Sequence, residues 1–274
     1  MKKLLPIKLT MYLLVALFFL TTIVPVSVRA AEAVVTAESG VSDARLDQFR
    51  GYTETVLRFY RERYGFTPAW PVQITVAPDK PGFIALLQRE GYSAKQATRQ
   101  AEVAVGMYMP AQRKIVIQDD PFRNLMDLSD VIAHELFHQF QWELKGNATA
   151  HHWLLEGSAE RAGFDLGQWS GKGPSERKKE ELINHLYKRV TGEIDPYDLI
   201  DNGPRWKSLV SEGRNVYGTA KNMTDYLADQ FGDPVIIRYF TELGQTGNRE
   251  SAFLRAFGMS HNEFIEKYKA YTRK

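Results

Sequence analysis

The segment Leu128–Lys145 reads LSDVIAHELFHQFQWELK. Its apolar positions Leu128, Val131, Ile132, Leu136, Phe137 and Phe140 recur at helical spacing, which predicts a helix from about Leu128 to Leu144. Lys145-Gly146-Asn147 closes it. Asp127 is the expected N-cap, and Asp130 adds a second carboxylate near the positive end of the helix dipole. Inside this helix His134-Glu135-Leu136-Phe137-His138 spells H-E-x-x-H. Residues four apart stack on one face of a helix, so His134 and His138 can both reach one metal ion. Glu135 stands beside that ion, where it can take a proton from a bound water. The same letters also arise by chance on ordinary amphipathic helices, so the surrounding sequence decides their meaning.

Two histidines leave a zinc site incomplete, because catalytic zinc usually has three protein ligands and one open position. Downstream the chain reads Trp153-Leu154-Leu155-Glu156-Gly157-Ser158-Ala159-Glu160. Glu156 follows His138 by 18 positions, enough for a helix end, a turn and the start of a second helix. A carboxylate in an otherwise apolar helix start is costly unless it is paired or bound to a metal. Gly157 leaves room for the two helices to pack closely.

His134-Glu135-x-x-His138 followed by W-L-x-E-G-x-A-E resembles the gluzincin zinc metallopeptidases, which include thermolysin and the aminopeptidase N-like enzymes. The likeness is greatest to the peptidase MA-like family of exported or membrane-associated bacterial proteins. It covers about residues 100–232 and is strongest over 131–160. The resemblance implies one Zn2+ per chain, held by His134, His138 and Glu156, with Glu135 as the general base. It also implies that Glu160 accepts a ring N–H of His134 and fixes its tautomer; the plainer alternative is a solvent-facing helix charge. Tyr217-Gly218-Thr219-Ala220 and the following helix resemble the segment whose Tyr donates to the oxyanion in aminopeptidase N-like enzymes, which makes Tyr217 the counterpart. The alternative there is a ring packed into the core. Where those enzymes carry Gly-x-Met-Glu-Asn to bind a free amine, this chain has Gly106-Met107-Tyr108-Met109-Pro110 without a Glu. An endopeptidase is therefore expected rather than an aminopeptidase. A calcium-loop series of the thermolysin kind is also missing from the sequence.

The chain has 274 residues, 44% of them apolar, and no cysteine, which excludes disulfides, thiolate zinc sites and Cys nucleophiles. Lys2, Lys3 and Lys8 precede an apolar run from Leu9 to Val26, and Val28-Arg29-Ala30 and Ala31-Glu32-Ala33 are small-residue cleavage sequences. Residues 1–30 read as a secretory signal peptide cut near Ala30 or Ala33, with an uncleaved anchor as the alternative. They hold four basic residues and no acidic one, so the formal charge falls from +2 to −2 without them. That balance points away from nucleic acid and anionic lipid. The expected setting is extracytoplasmic, with no stable membrane insertion after cleavage.

Residues 31–42 are mostly small and read as a flexible segment. Helices are expected over 42–64, over 83–100 with a break near Gly91, over 154–166, up to about Val190 after a polar stretch, over 217–230, and as two terminal helices. Strands are expected at Val72–Ala77, Ala104–Met109 and Lys114–Gln118. The fold class that follows is α+β: a zincin-like catalytic domain with an N-terminal α/β lobe and small mixed sheet over 43–125. A C-terminal helical lobe over 126–274 completes one catalytic unit, with the zinc helix at the junction. The expected partner is a peptide or protein lying antiparallel to the strand 104–109. His185 and His261 read as surface residues, as do His151 and His152, with the alternative that one of that pair lines the cleft; Trp142, Trp153 and Trp169 read as core. A non-generic envelope regulator or a binding module of the same fold is the alternative function, although a pure binder has no need of Glu135.

Overall fold

Val72-Gln73-Ile74-Thr75-Val76-Ala77 alternates in the period of a strand, and the structure uses both faces of it. This is a computed structural model, and it describes residues 33–120, 128–171 and 194–273. Four strands, β1 (Ala33–Ala37), β2 (Val72–Ala77), β3 (Gly106–Met109) and β4 (Lys114–Gln118), form one sheet in the order β1-β2-β4-β3. β1 and β4 flank β2 in parallel, and β3 closes the far edge antiparallel to β4. The register aligns Val35, Ile74, Ile115 and Tyr108 across the sheet.

That row, with Val72, Val76 and Ile117, faces the main core, which is shared with α1 (Asp43–Tyr64) and α4 (Leu128–Lys145). The opposite pleat, Ala77, Val116 and Met109, packs under Phe83, Leu86 and Leu87 of α2 (Lys80–Arg89) and Ala97 and Ala101 of α3 (Ala94–Val103). The sheet thus lies between two helical layers, and the period-2 pattern decides which residue meets which layer. β1 corrects the expectation for 31–42: the β-branched run Ala-Val-Val-Thr-Ala pairs along the whole of Ala33–Ala37 rather than staying loose.

The helices begin and end where their caps require. Ser42 accepts from Arg45 N at the start of α1, and Gly65 ends it in the left-handed conformation at φ 63°. Ser93 and Gln96 form a capping box at α3, which separates it from α2. After α4 come α5 (His152–Trp169), a short 3-10 turn (Pro196–Leu199), α6 (Pro204–Ser211) and α7 (Val216–Phe231). Three helices follow where two were expected: α8 (Pro234–Thr246), α9 (Arg249–Phe257) and α10 (His261–Thr272). Gly247 and Gly258, at φ 64° and 70°, make the two breaks. The proposed signal segment 1–30, the Asp127 cap, the polar stretch beyond 171 and the helix expected up to Val190 lie outside the described residues.

Residues 31–274 form one compact unit, so the sheet and the later helices are not separate domains. α4 joins them. The Tyr60 hydroxyl of α1 donates to the Ala133 carbonyl one residue before His134. Phe137 and Phe140 insert into an aromatic cluster with Tyr60, Tyr64 and Phe66. On the other side, Gly244 lets α8 approach so closely that a Cβ there would stand 2.1 Å from the Leu144 carbonyl oxygen. Arg161 on α5 clamps α7, pairing with Asp225 and with Asp233 beyond its end. The chain is an α+β protein with a small mixed sheet and a helical majority. Among the described residues no helix is long and apolar enough to cross a membrane.

Candidate metal centre

His134 and His138 project from one side of α4 toward α5, and their Nε2 atoms stand 3.0 Å apart. Glu156, in the first turns of α5, brings Oε2 to 3.5 Å from each. A tetrahedral zinc ion with bonds of about 2.0–2.2 Å holds its ligand atoms about 3.3–3.6 Å apart, by simple geometry from those bond lengths. The two Glu156 edges of 3.5 Å fall in that range, and the 3.0 Å between the two imidazole nitrogens is a few tenths short of it, which a small ring rotation would open. These three residues meet the requirements of a metal-binding group.

The close approach that delivers Glu156 comes from two glycines. A Cβ on Gly157 would lie 2.2 Å from the Ala220 carbonyl oxygen, so α5 presses backbone to backbone against α7. A Cβ on Gly163 would lie 2.9 Å from the Asp130 carbonyl oxygen, which sets the contact between α5 and α4. The expectation that Gly157 serves the α4–α5 packing is corrected: Gly163 does that, and Gly157 admits α7.

Each imidazole is held from behind. His138 Nδ1 is 2.8 Å from Gln141 Oε1, and Gln141 Nε2 donates to the Leu155 carbonyl and to Ser158 Oγ, both at 2.8 Å. With its amide nitrogen so committed, Gln141 presents oxygen to the ring. His138 then carries its proton on Nδ1 and turns the Nε2 lone pair inward. Sequence reading missed Gln141, although a buried amide one helical turn beyond a ligand histidine was the available signal. Glu160 Oε1 lies 3.4 Å from His134 Nδ1 and is half exposed.

The electrostatics favour a cation at this point. Burial opposes charging His134 and His138, yet the Glu156 carboxylate holds both imidazoles above their usual range, helped by Glu160 and Glu135 at His134 and by Glu135 at His138. Burial would likewise raise Glu156, but His138 and His134 hold its carboxyl well below the ordinary carboxylate range. A site that binds protons this firmly offers the same negative field to a divalent ion.

Glu135 is buried, with Oε2 accepting the Tyr108 backbone N–H at 2.7 Å. Burial, helped by Glu156, raises its pKa, while the two histidines and the Tyr108 amide pull it back. Gly106 makes space for it: a Cβ there would stand 3.0 Å from Glu135 Cγ. Tyr217 lies in the first turn of α7, which Asn215 caps by accepting from Gly218 N. Burial, with the carboxylates of Glu156, Glu160 and Glu135, raises the Tyr217 pKa, so the hydroxyl stays protonated and able to donate. The Trp206 ring stands edge-on to it at 5.5 Å. All six residues singled out in the sequence line one cleft of about 1220 Å³.

No protein-family model matches this chain, and no curated protein matches it significantly.

The histidine expectations are corrected in three places. His151 is fully buried; it lies at the junction of α5 with α8 and α9, where Tyr239 and Phe253 surround it. His261 is buried as well, stacked on His151 at 3.8 Å and accepting from Trp153 Nε1 at 2.9 Å. His152 lines the cleft, edge-on to Trp206 and 3.9 Å from Glu156 Oε1. His185 lies outside the described residues. His151, His261 and Glu250 form a second group of possible ligands. Its rings are nearly parallel, at 11°, so their in-plane lone pairs cannot converge on one ion, and Trp153 already occupies His261 Nε2. Trp153 is core as expected, whereas Trp142 borders the cleft.

Proposed function

We propose that this protein is a zinc-dependent metallopeptidase of gluzincin type, with the zinc helix α4 at the junction of the sheet lobe and the helical lobe. The observation that carries this reading is the His134–His138–Glu156 triangle, with the buried Glu135 carboxylate on the same helix face and in the same cleft. His134, His138 and Glu156 would hold one ion and leave its remaining position to the cleft. Zinc bound there supplies a Lewis acid that lowers the pKa of water and polarises a carbonyl.

The chain's own groups supply the rest. Glu135, with its pKa raised, accepts the proton of the attacking water and passes it to the departing amine. The Tyr217 hydroxyl donates to the oxygen that gains negative charge. β3 is an edge strand of the sheet, so an extended peptide can add to its backbone groups other than the Tyr108 N–H, which Glu135 holds. The stretch Gly106–Pro110 holds no carboxylate to anchor a free amine, which favours cleavage within a chain over removal of N-terminal residues. With the leader read at residues 1–30, the activity belongs outside the cytoplasm.

The test is Glu135→Gln. It should keep one zinc per chain and lose casein hydrolysis by about 100-fold or more, the scale of a general base. Full activity in that variant would overturn the mechanism.

A further inference from the structure

The cleft is not electrically uniform along its length. α5 runs antiparallel to α4: Gly163 lies against Asp130, and Gln141 reaches Leu155 and Ser158. One end of the cleft is therefore lined by Asp130 and Glu160 and the other by Trp142 and Lys145, and Lys207 stands near His152 at the start of α5, which faces that second end.

Among the described residues the cations at the second end carry no ion pair. Lysine ion pairs form at Lys114, Lys221 and Lys269, but among the described residues neither Lys145 nor Lys207 has a carboxylate partner. Lys145 Nζ donates to the Ala148 carbonyl at 2.9 Å and the Gly146 carbonyl at 3.2 Å, and lies 4.8 Å from the centre of the Trp142 ring. Burial lowers its pKa to about 8, with no carboxylate to offset the shift. Glu143, two residues before Lys145, accepts from the Ala69 amide at 2.8 Å, and Asp201 pairs with Arg249. A half-buried ammonium without a counter-charge is stabilised when an anion reaches it.

The direction of β3 relates this end to the substrate. Gly106 abuts Val131 and Glu135 near the middle of α4. The turn after Met109 carries Arg113 over the Trp70 ring at 4.2 Å, and residue 69 binds Glu143 in the last turns of α4. β3 thus runs in the same sense as α4, and a peptide antiparallel to it enters with its N-terminal side at Lys145. Seven residues separate His138 from Lys145, about 10 Å of helix and about three residues of extended chain. Helical side chains lean toward the helix N-terminus, which shortens the span.

We propose that the end of the cleft formed by Lys145, Trp142 and Lys207 is an anion subsite, and that preferred substrates carry Asp or Glu two or three residues before the scissile bond. This rests on the peptidase reading.

The experiment offers the zinc-loaded protein a set of decapeptides that differ only in Glu, Gln or Lys at each position, with cleavage sites read by mass spectrometry. Binding of the same peptides to the Glu135→Gln protein is followed in parallel by fluorescence anisotropy. Glu two or three residues before the cut should exceed Lys by about tenfold in kcat/KM and in affinity, the scale of one charge-assisted contact. Lys145→Glu, and separately Lys207→Glu, should reverse or flatten that order. Cleavage without an acidic preference, or with one only after the cut, overturns the subsite and leaves the peptidase reading intact. If nothing is cleaved, the peptidase reading fails; acid-selective binding still supports the subsite, and indifferent binding overturns it.

Discussion

The Glu135 carboxylate is bound to the backbone N–H of Tyr108 at 2.7 Å, so the helix that bears both histidines is pinned to the edge strand of the sheet. In the proposed mechanism the proton-moving group is thereby placed on the strand that would hold the substrate. Its position depends on Gly106, where an added methyl would stand 3.0 Å from Glu135 Cγ and 3.1 Å from Oε1. Gly106→Ala should leave the metal content unchanged while kcat/KM falls about tenfold or more, because small misplacements of a catalytic group are costly. Zinc analysis beside a peptide assay checks it; unchanged activity would show that the carboxylate does not need this placement.

Gly157→Ala tests the packing that delivers Glu156. The new Cβ would meet the Ala220 carbonyl oxygen at 2.2 Å and Thr224 Oγ1 at 2.5 Å, and a backbone atom cannot step aside as a flexible side chain can. The expected cost is about 3 kcal/mol or more, at or beyond the upper end of overpacking effects. Urea denaturation should show it as a lower midpoint, together with weaker zinc binding.

Gln141→Leu removes the acceptor behind His138 and leaves the three ligands in place. Losing such a support typically weakens metal binding 10–100-fold. Competition with a chromogenic chelator measures this directly, and an unaltered affinity would mean that His138 is oriented by packing alone.

The buried pair His151 and His261 predicts an acid-sensitive fold. Burial, with Arg249 nearby, lowers His261 to about 4 and His151 to about 2. In the unfolded chain both titrate near the ordinary value of about 6.5. Folded-state values below the unfolded one mean that the unfolded chain takes up protons first as pH falls. The stabilisation is thus fully present above about 6.5 and is lost as pH drops toward 4, by an amount on the order of 3 kcal/mol for His261. His261→Gln should flatten the stability curve in that window relative to the parent; an unchanged slope would contradict the assignment. Arg249, Glu250 and Asp201 are the other charges around the pair.

The local chemistry of the centre was legible because helical spacing alone places His134, Glu135 and His138, and because a carboxylate in an apolar helix start demands a partner. Strand β2 was legible from alternation, and β3 and β4 as two short runs joined around Pro110-Ala111-Gln112. β1 was not, since Ala-Val-Val-Thr-Ala among small residues gains its structure only from pairing with β2. His151 was read as exposed because adjacent histidines on a loop point apart, and His261 because it lies in a charged helical stretch; their burial comes from α8, α9 and α10 folding back over α5, which no local pattern reveals. The correct partner of Gly157 was equally non-local, lying 63 residues away on α7.

The most direct measurement is zinc content and casein hydrolysis of the purified protein beside Glu156→Ala. One zinc per chain in the parent, weakened or lost together with hydrolysis in the variant, is the predicted result. A parent protein that binds no zinc would reduce His134, His138 and Glu156 to a buried polar cluster, and the peptidase reading would fall with it.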